Sequence, residues 1–142
     1  MNIVVPDASV LLKWVLHENE PHLDQALALR ALICQRHVRA LVPPLWYFEV
    51  GNTLARRVPA LAADVLSALR DMQLEERMHD TSTEAPALQL VKDYGVTFYD
   101  ASYHALAIVS GGTFVTSDAR YIERARGAGH LSHLMDWPIV GR

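Results

Sequence analysis

The chain has 142 residues, 51% of them hydrophobic and 20% charged, which is the composition of an ordinary globular protein and excludes a disordered or fibrous one. Its formal net charge of −3 argues against a generic polyanion binder, because phosphate binding normally draws on excess Lys and Arg. Nucleic acid stays within reach only if bound metal offsets clustered carboxylates and the basic residues gather locally.

Residues 2–5 (Asn-Ile-Val-Val) form a short β-type run ending at Pro6. No basic stretch precedes it, so it does not read as a signal peptide. No apolar run reaches the roughly 20 residues of a membrane span, and cytoplasm is the expected compartment. Asp7 stands in N-cap position before a helix over 8–16. A second helix is expected from Pro21 or His22 to about His37, with Leu23, Ala26, Leu27, Arg30, Ala31 and Cys34 at helical spacing. Cys34 is the lone cysteine. It can form no disulfide within the chain, and its apolar neighbours predict a buried structural thiol.

Residues 40–42 are a second strand candidate, stopped by Pro43-Pro44, which suits the first turn of a helix over 45–57. Pro59 separates this from a helix over 60–72, and residues 75–80 are a strand candidate. Helices follow over 84–94, ended by Gly95, and over 101–110, capped by Asp100 and closed by Gly111-Gly112. The β-branched run Thr113–Thr116 predicts a strand, Asp118 follows it, and a last helix covers 119–127. Residues 131–135 or 138–140 supply a final edge strand. With no low-complexity segment, long linker or repeat, the chain reads as a single domain over 1–142. Strands alternating with helices predict a three-layer α/β/α architecture with a central, mainly parallel sheet. Ligands of such sheets bind beyond the carboxyl ends of the strands, where Asp7 and Asp118 fall.

Taken singly, Asp7, Asp100 and Asp118 are each explained by helix capping, worth about 1 kcal/mol. Glu49 resists that account, being mid-helix in the bulky segment Leu45-Trp46-Tyr47-Phe48-Glu49-Val50, although Asn52, Thr53 and Arg56 offer it a polar, solvated face. Together, three acids at strand-to-helix junctions and a fourth near a helix start predict a convergent cluster. Two like charges about 4 Å apart repel by roughly 4 kcal/mol at an effective dielectric of about 20. A hard divalent cation relieves that conflict, and all-oxygen ligands select Mg²⁺ or Mn²⁺ over zinc. Metal ions held against a phosphate suit phosphodiester hydrolysis.

The segments Val-Val-Pro-Asp7-Ala-Ser9-Val-Leu-Leu-Lys13-Trp14, Glu49-Val-Gly-Asn52-Thr-Leu, Tyr99-Asp100-Ala-Ser102-Tyr103-His-Ala-Leu-Ala and Val115-Thr116-Ser117-Asp118 resemble the four motifs of a PIN domain, in the family's order. More narrowly, the chain resembles a VapC-type toxin of a type II toxin–antitoxin pair. The resemblance spans 2 to about 140. It implies an Mg²⁺- or Mn²⁺-dependent endoribonuclease, usually dimeric, inhibited by a small cognate antitoxin, with tRNA the first substrate expected and ribosomal or messenger RNA next. It assigns Asp7 and Asp100 as principal metal ligands, Glu49 as a metal ligand or the group that polarises the attacking water, and Asp118 as completing the cluster directly or through water. Ser9 and Thr116 would position Asp7, Asp118 or a phosphate oxygen, and Asn52 would support Glu49.

Lys13, Arg56, Arg57, Arg120 and Arg124 are candidates for a rim that meets RNA, with scattered surface charge the plainer alternative. His104 is expected to be packed or exposed on its helix rather than to act at the site, and His130 and His133 to be loop histidines. Trp14 and Trp46 are expected in the core or an interface. A phosphatase of the haloacid dehalogenase type would want a second acid where Ser9 stands, and a Rossmann protein would show G-x-G-x-x-G after the first strand. The rival from another class is a non-catalytic PIN-like module that binds a partner protein and cuts nothing.

Overall fold

Val4 and Val5 are fully buried at the middle of β1 (Asn2–Pro6), as expected of a strand covered on both faces. The computed structural model describes residues 2–137. In chain order the further elements are α1 (Ala8–Lys13), α2 (Leu23–Cys34), β2 (Val38–Val42), α3 (Leu45–Arg57), α4 (Ala62–Arg70), β3 (Leu74–Glu76), α5 (Thr81–Tyr94), α6 (Phe98–Ser110), β4 (Thr113–Thr116), α7 (Ala119–Ala125) and β5 (Leu131–His133). Of the two alternatives for the last strand, the first forms and 138–140 lies outside the described residues. Among the described residues no helix is long and apolar enough to cross a membrane.

The five strands pair in parallel in the order β3-β2-β1-β4-β5. Right-handed crossovers put α1 to α4 on one face and α5 to α7 on the other, giving three layers. Accordingly α1 packs on α2 and α3, whereas α5 packs on α6 and α7. The chain leaves β1 toward β2 and returns to β1's other side only at β4. That reversal opens a crevice at the carboxyl ends of β1 and β4, the place where ligands of open α/β sheets bind. Pro6 pairs with Val115, and the Asp7 N–H continues the ladder to the Val115 carbonyl at 3.3 Å.

Trp14 and Trp46 are both in the core. Each indole N–H finds an acceptor, the Ala26 carbonyl at 2.9 Å and Oε1 of the exposed Glu76 at 2.7 Å, as a buried Trp requires. Gly111 caps α6 with φ of +71°, and a Cβ on Gly112 would lie 2.7 Å from the Ile3 carbonyl oxygen. This tight turn lets β4 run directly beside β1.

Three expectations change. The α5 helix starts at Thr81 rather than 84, because Asp80 and Thr83 form a capping box. Asp100 is not the cap of α6. Thr97 is, its Oγ1 accepting the Asp100 N–H at 3.1 Å, and Asp100 is the helix's third residue. Since α6 follows α5 and not a strand, Asp100 reaches the crevice from a helical hairpin, and only two of the acids stand at strand ends. Cys34 is exposed, not buried: it closes α2 on the side away from Leu29 and Ile33.

Candidate active site

Asp7 follows β1 at the crevice, with extended backbone, and its side chain caps α1 through the Val10 N–H at 3.3 Å. It is 8% exposed. Ser9 Oγ donates to Oδ1 and Thr116 Oγ1 donates to Oδ2 at 2.6 Å. Those hydroxyls also accept backbone N–H groups of the loop after β4, Ser9 from Ser117 at 3.1 Å and Thr116 from Asp118 at 3.1 Å. Burial raises the Asp7 pKa from 3.8 to about 6. Hydrogen bonds from Ser9, Thr116 and Val10 oppose the rise, and the Asp100 charge adds to it.

Glu49 sits mid-way along α3, half-buried, and accepts from the Tyr103 hydroxyl at 2.6 Å. Burial raises its pKa, the Tyr103 bond lowers it, and the Asp100 charge raises it. Asp100 is itself pushed up by burial and then by the Asp118 charge, against the Thr97 hydrogen bond. Asp100 is therefore electrostatically central, coupled to each of the other three acids. Asp118 is exposed and caps α7, its Oδ1 accepting from the Arg120 N–H at 3.0 Å and the Tyr121 N–H at 3.2 Å. Among the described residues, no three His, Cys, Asp or Glu side chains stand close enough to enclose one ion in these rotamers.

The basic candidates divide. Arg120 and Arg124 line one cleft of about 210 Å³ with Asp100 and Asp118, and Arg124 Nη1 donates to the Gly95 carbonyl at 3.2 Å. Arg56 and Arg57 are exposed at the end of α3, with Arg56 two turns from Glu49 on one face. Lys13 does not belong to a rim. It is 4% exposed and its ammonium lies 3.8 Å from Glu20, turned into the fold to pair with that carboxylate. Asn52 is exposed, and no hydrogen bond among the described residues joins it to the acids.

His104 is fully buried and packed, away from the carboxylates. Its Nε2 lies 2.8 Å from the Gly129 carbonyl, so that nitrogen carries the proton and Nδ1 accepts from the Tyr121 hydroxyl at 2.7 Å. His130, in the loop before β5, meets the Gly112 carbonyl, whereas His133 is the last residue of β5 rather than a loop residue and meets the Ser117 carbonyl. Tyr103 is the contact that sequence reasoning passed over. Its spacing of three from Asp100, on the same face of α6, was the available signal.

A family model described as the PIN domain matches residues 4–127. Among solved structures, PAE2754 from Pyrobaculum aerophilum is 23% identical with a TM-score of 0.66, covering 94% of this chain and 90% of that one. DNA-bound VapBC from Salmonella typhimurium is 17% identical with a TM-score of 0.70, covering 94% and 99%. VapC20 of Mycobacterium tuberculosis, described as a sarcin–ricin loop cleaving toxin, is 16% identical with a TM-score of 0.66, covering 89% and 95%. A curated relative, the cell division protein ZapC of Proteus mirabilis, is 49% identical over 45 residues, 32% of this chain, and the match spans only 24% of that protein's length. The parallel five-stranded sheet and the match over most of the chain lead to one family: this chain belongs to the PIN domain family.

Proposed function

We propose that this protein is a divalent-metal-dependent endoribonuclease, the toxin of a type II toxin–antitoxin pair, acting in the cytoplasm on tRNA or another structured RNA. The observation that carries the reading is the buried Asp7 carboxylate, its pKa raised to about 6 at the topological switch point and coupled through Asp100 to Glu49 and Asp118. A buried anion among like charges is costly for folding, so its presence argues for a use that repays it.

The donor set fits a hard cation. All four side chains offer carboxylate oxygen, with Asp7 and Asp100 the principal holders of Mg²⁺ or Mn²⁺, Glu49 offering the oxygen that Tyr103 leaves free, and Asp118 completing the set after side-chain rotation. A divalent cation held there would supply positive charge to a phosphate and lower the pKa of a water. Ser9 and Thr116 fix both oxygens of Asp7. Glu49, with its raised proton affinity, accepts a proton from the attacking water. Arg120 and Arg124 offer cationic donors to a phosphate beside Asp100 and Asp118. The description of VapC20 as a loop-cleaving toxin supports RNA as substrate, and the VapBC pairing of the Salmonella relative supports a cognate antitoxin. A homodimer follows the family resemblance.

The purified chain with Mg²⁺ should cleave structured RNA, with Asp7→Asn and Glu49→Gln reduced by several orders of magnitude. Equal cleavage by wild type and both variants would overturn the nuclease reading. The non-catalytic binding module is favoured by one observation, that among the described residues no three acids enclose an ion as they stand. Melting with Mn²⁺ separates the two. A metal-binding nuclease melts higher with Mn²⁺ and loses the gain in Asp100→Asn, whereas a binding module melts the same with and without Mn²⁺ in each protein.

A further inference from the structure

α6 sends two side chains toward the crevice from one face, Asp100 in its first turn and Tyr103 three residues later. Tyr103 is 1% exposed, and its hydroxyl donates to Glu49 Oε1 at 2.6 Å. A glutamate in mid-helix has three rotatable bonds and ordinarily samples many orientations. Here one carboxylate oxygen is tied to a ring that cannot move. The Tyr103 ring stacks on Phe114 with centroids 5.9 Å apart and planes 11° from parallel. Phe114 in turn meets Tyr121 edge-on at 5.3 Å and His104 at 5.7 Å. His104 locks that group to Tyr121 and to the Gly129 carbonyl. Burial and the charges of Glu49, Asp7 and Asp100 push the Tyr103 phenol pKa up, so it stays a donor.

Phe114 and Thr116 are two residues apart on β4 and so share a face. One strand face thereby steadies the ring that holds Glu49 and supplies the hydroxyl that holds Asp7. We propose that Tyr103 is a positioning residue, whose hydroxyl holds the Glu49 carboxylate in the orientation that hydrolysis uses and whose ring is set by Phe114. This rests on the nuclease reading.

The test is a double-mutant cycle of Tyr103→Phe and Glu49→Gln, with RNA cleavage, melting and side-chain spectra measured together. Tyr103→Phe keeps the stacked ring and should lower kcat about 10- to 100-fold, as expected for a lost hydrogen bond to a charged group, with KM within about twofold. Its melting temperature should stay within about 3 °C of wild type. In the Glu49→Gln background the same change should cost nothing more. Carbon-13 spectra of glutamate-labelled protein, with the Glu49 signal assigned by its loss in Glu49→Gln, should show that signal shifted in Tyr103→Phe. Phe114→Leu should lose part of the rate, and none of it once Tyr103 is Phe. Full activity of Tyr103→Phe, equal losses in both Glu49 backgrounds, or an unmoved Glu49 signal would each overturn the inference while leaving the nuclease reading intact. A wild type that cleaves no RNA would remove the nuclease reading and the inference with it.

Discussion

Thr116 Oγ1 donates to Asp7 Oδ2 at 2.6 Å across 109 residues of sequence, and the same oxygen accepts the Asp118 N–H at 3.1 Å. One hydroxyl therefore joins the acid after β1 to the acid after β4. Thr116→Val keeps the shape, removes both bonds and leaves the Asp118 N–H without that acceptor. A loss of about 1–3 kcal/mol in urea unfolding is expected, together with a fall in RNA cleavage of about tenfold or more. Thr116→Ser should recover most of both. Wild-type stability in Thr116→Val would show that the bonds contribute nothing.

A second prediction concerns pH. Asp7 titrates at about 6 in the fold against 3.8 ordinarily, so the native state binds its proton more tightly than the unfolded chain. The associated stability is fully present below pH 3.8 and is lost as pH rises through about 6. At about 1.4 kcal/mol per pKa unit the swing is about 3 kcal/mol, and the raised pKa values of Glu49 and Asp100 act in the same direction. With chelator present, Asp7→Asn should melt at or above wild type at pH 7.5, and its advantage should vanish near pH 4. The gain falls short of the full swing because an amide cannot accept from every donor that Asp7 engages. An Asp7→Asn variant melting far below wild type at pH 7.5 would contradict the assigned direction.

The two classes of basic residue should separate in salt. If Arg120 and Arg124 meet phosphates, alanine at either should raise KM and reduce the log–log salt slope of RNA binding by about 0.7–0.9. Lys13→Met should leave that slope unchanged, because the Lys13 ammonium is buried against Glu20. Filter binding over a salt series reads both, and equal slopes for all three variants would exclude an arginine subsite.

Cys34 offers a check on the surface. Being exposed at the end of α2, it should react with a thiol reagent in the native protein, one equivalent per chain, without denaturant. Reaction only after unfolding would place it inside.

Element types and the parallel layering were legible because apolar runs and Pro/Gly punctuation are local signals. Asp7 and Asp118 were legible too, since a strand followed by a capping acid is visible in the sequence. Asp100 is legible as part of this helix, but not as a residue inside its first turn rather than its cap. Thr97, a better-placed cap, could be chosen only once the helix start was known. Cys34 and Lys13 failed for a shared reason. Helical spacing says which residues share a face, but not which way the face turns at a helix's last residue, nor that Glu20 would meet a lysine folded inward. The Tyr103–Glu49 bond joins α6 to α3 across the strand ends, a relation that follows only from the assembled layers.

The place of β4 has a consequence for synthesis. β1 is made first, yet its partner on one side and the hydroxyl that holds Asp7 arrive more than a hundred residues later. A chain released early carries Asp7, Glu49, Asp100 and β2 on one side of β1, but neither β4 on the other side nor Asp118. The carboxylates cannot be gathered until β4 leaves the ribosome, so a prematurely terminated product is expected to be inert, and the protein completes its most charged region among the last steps of folding.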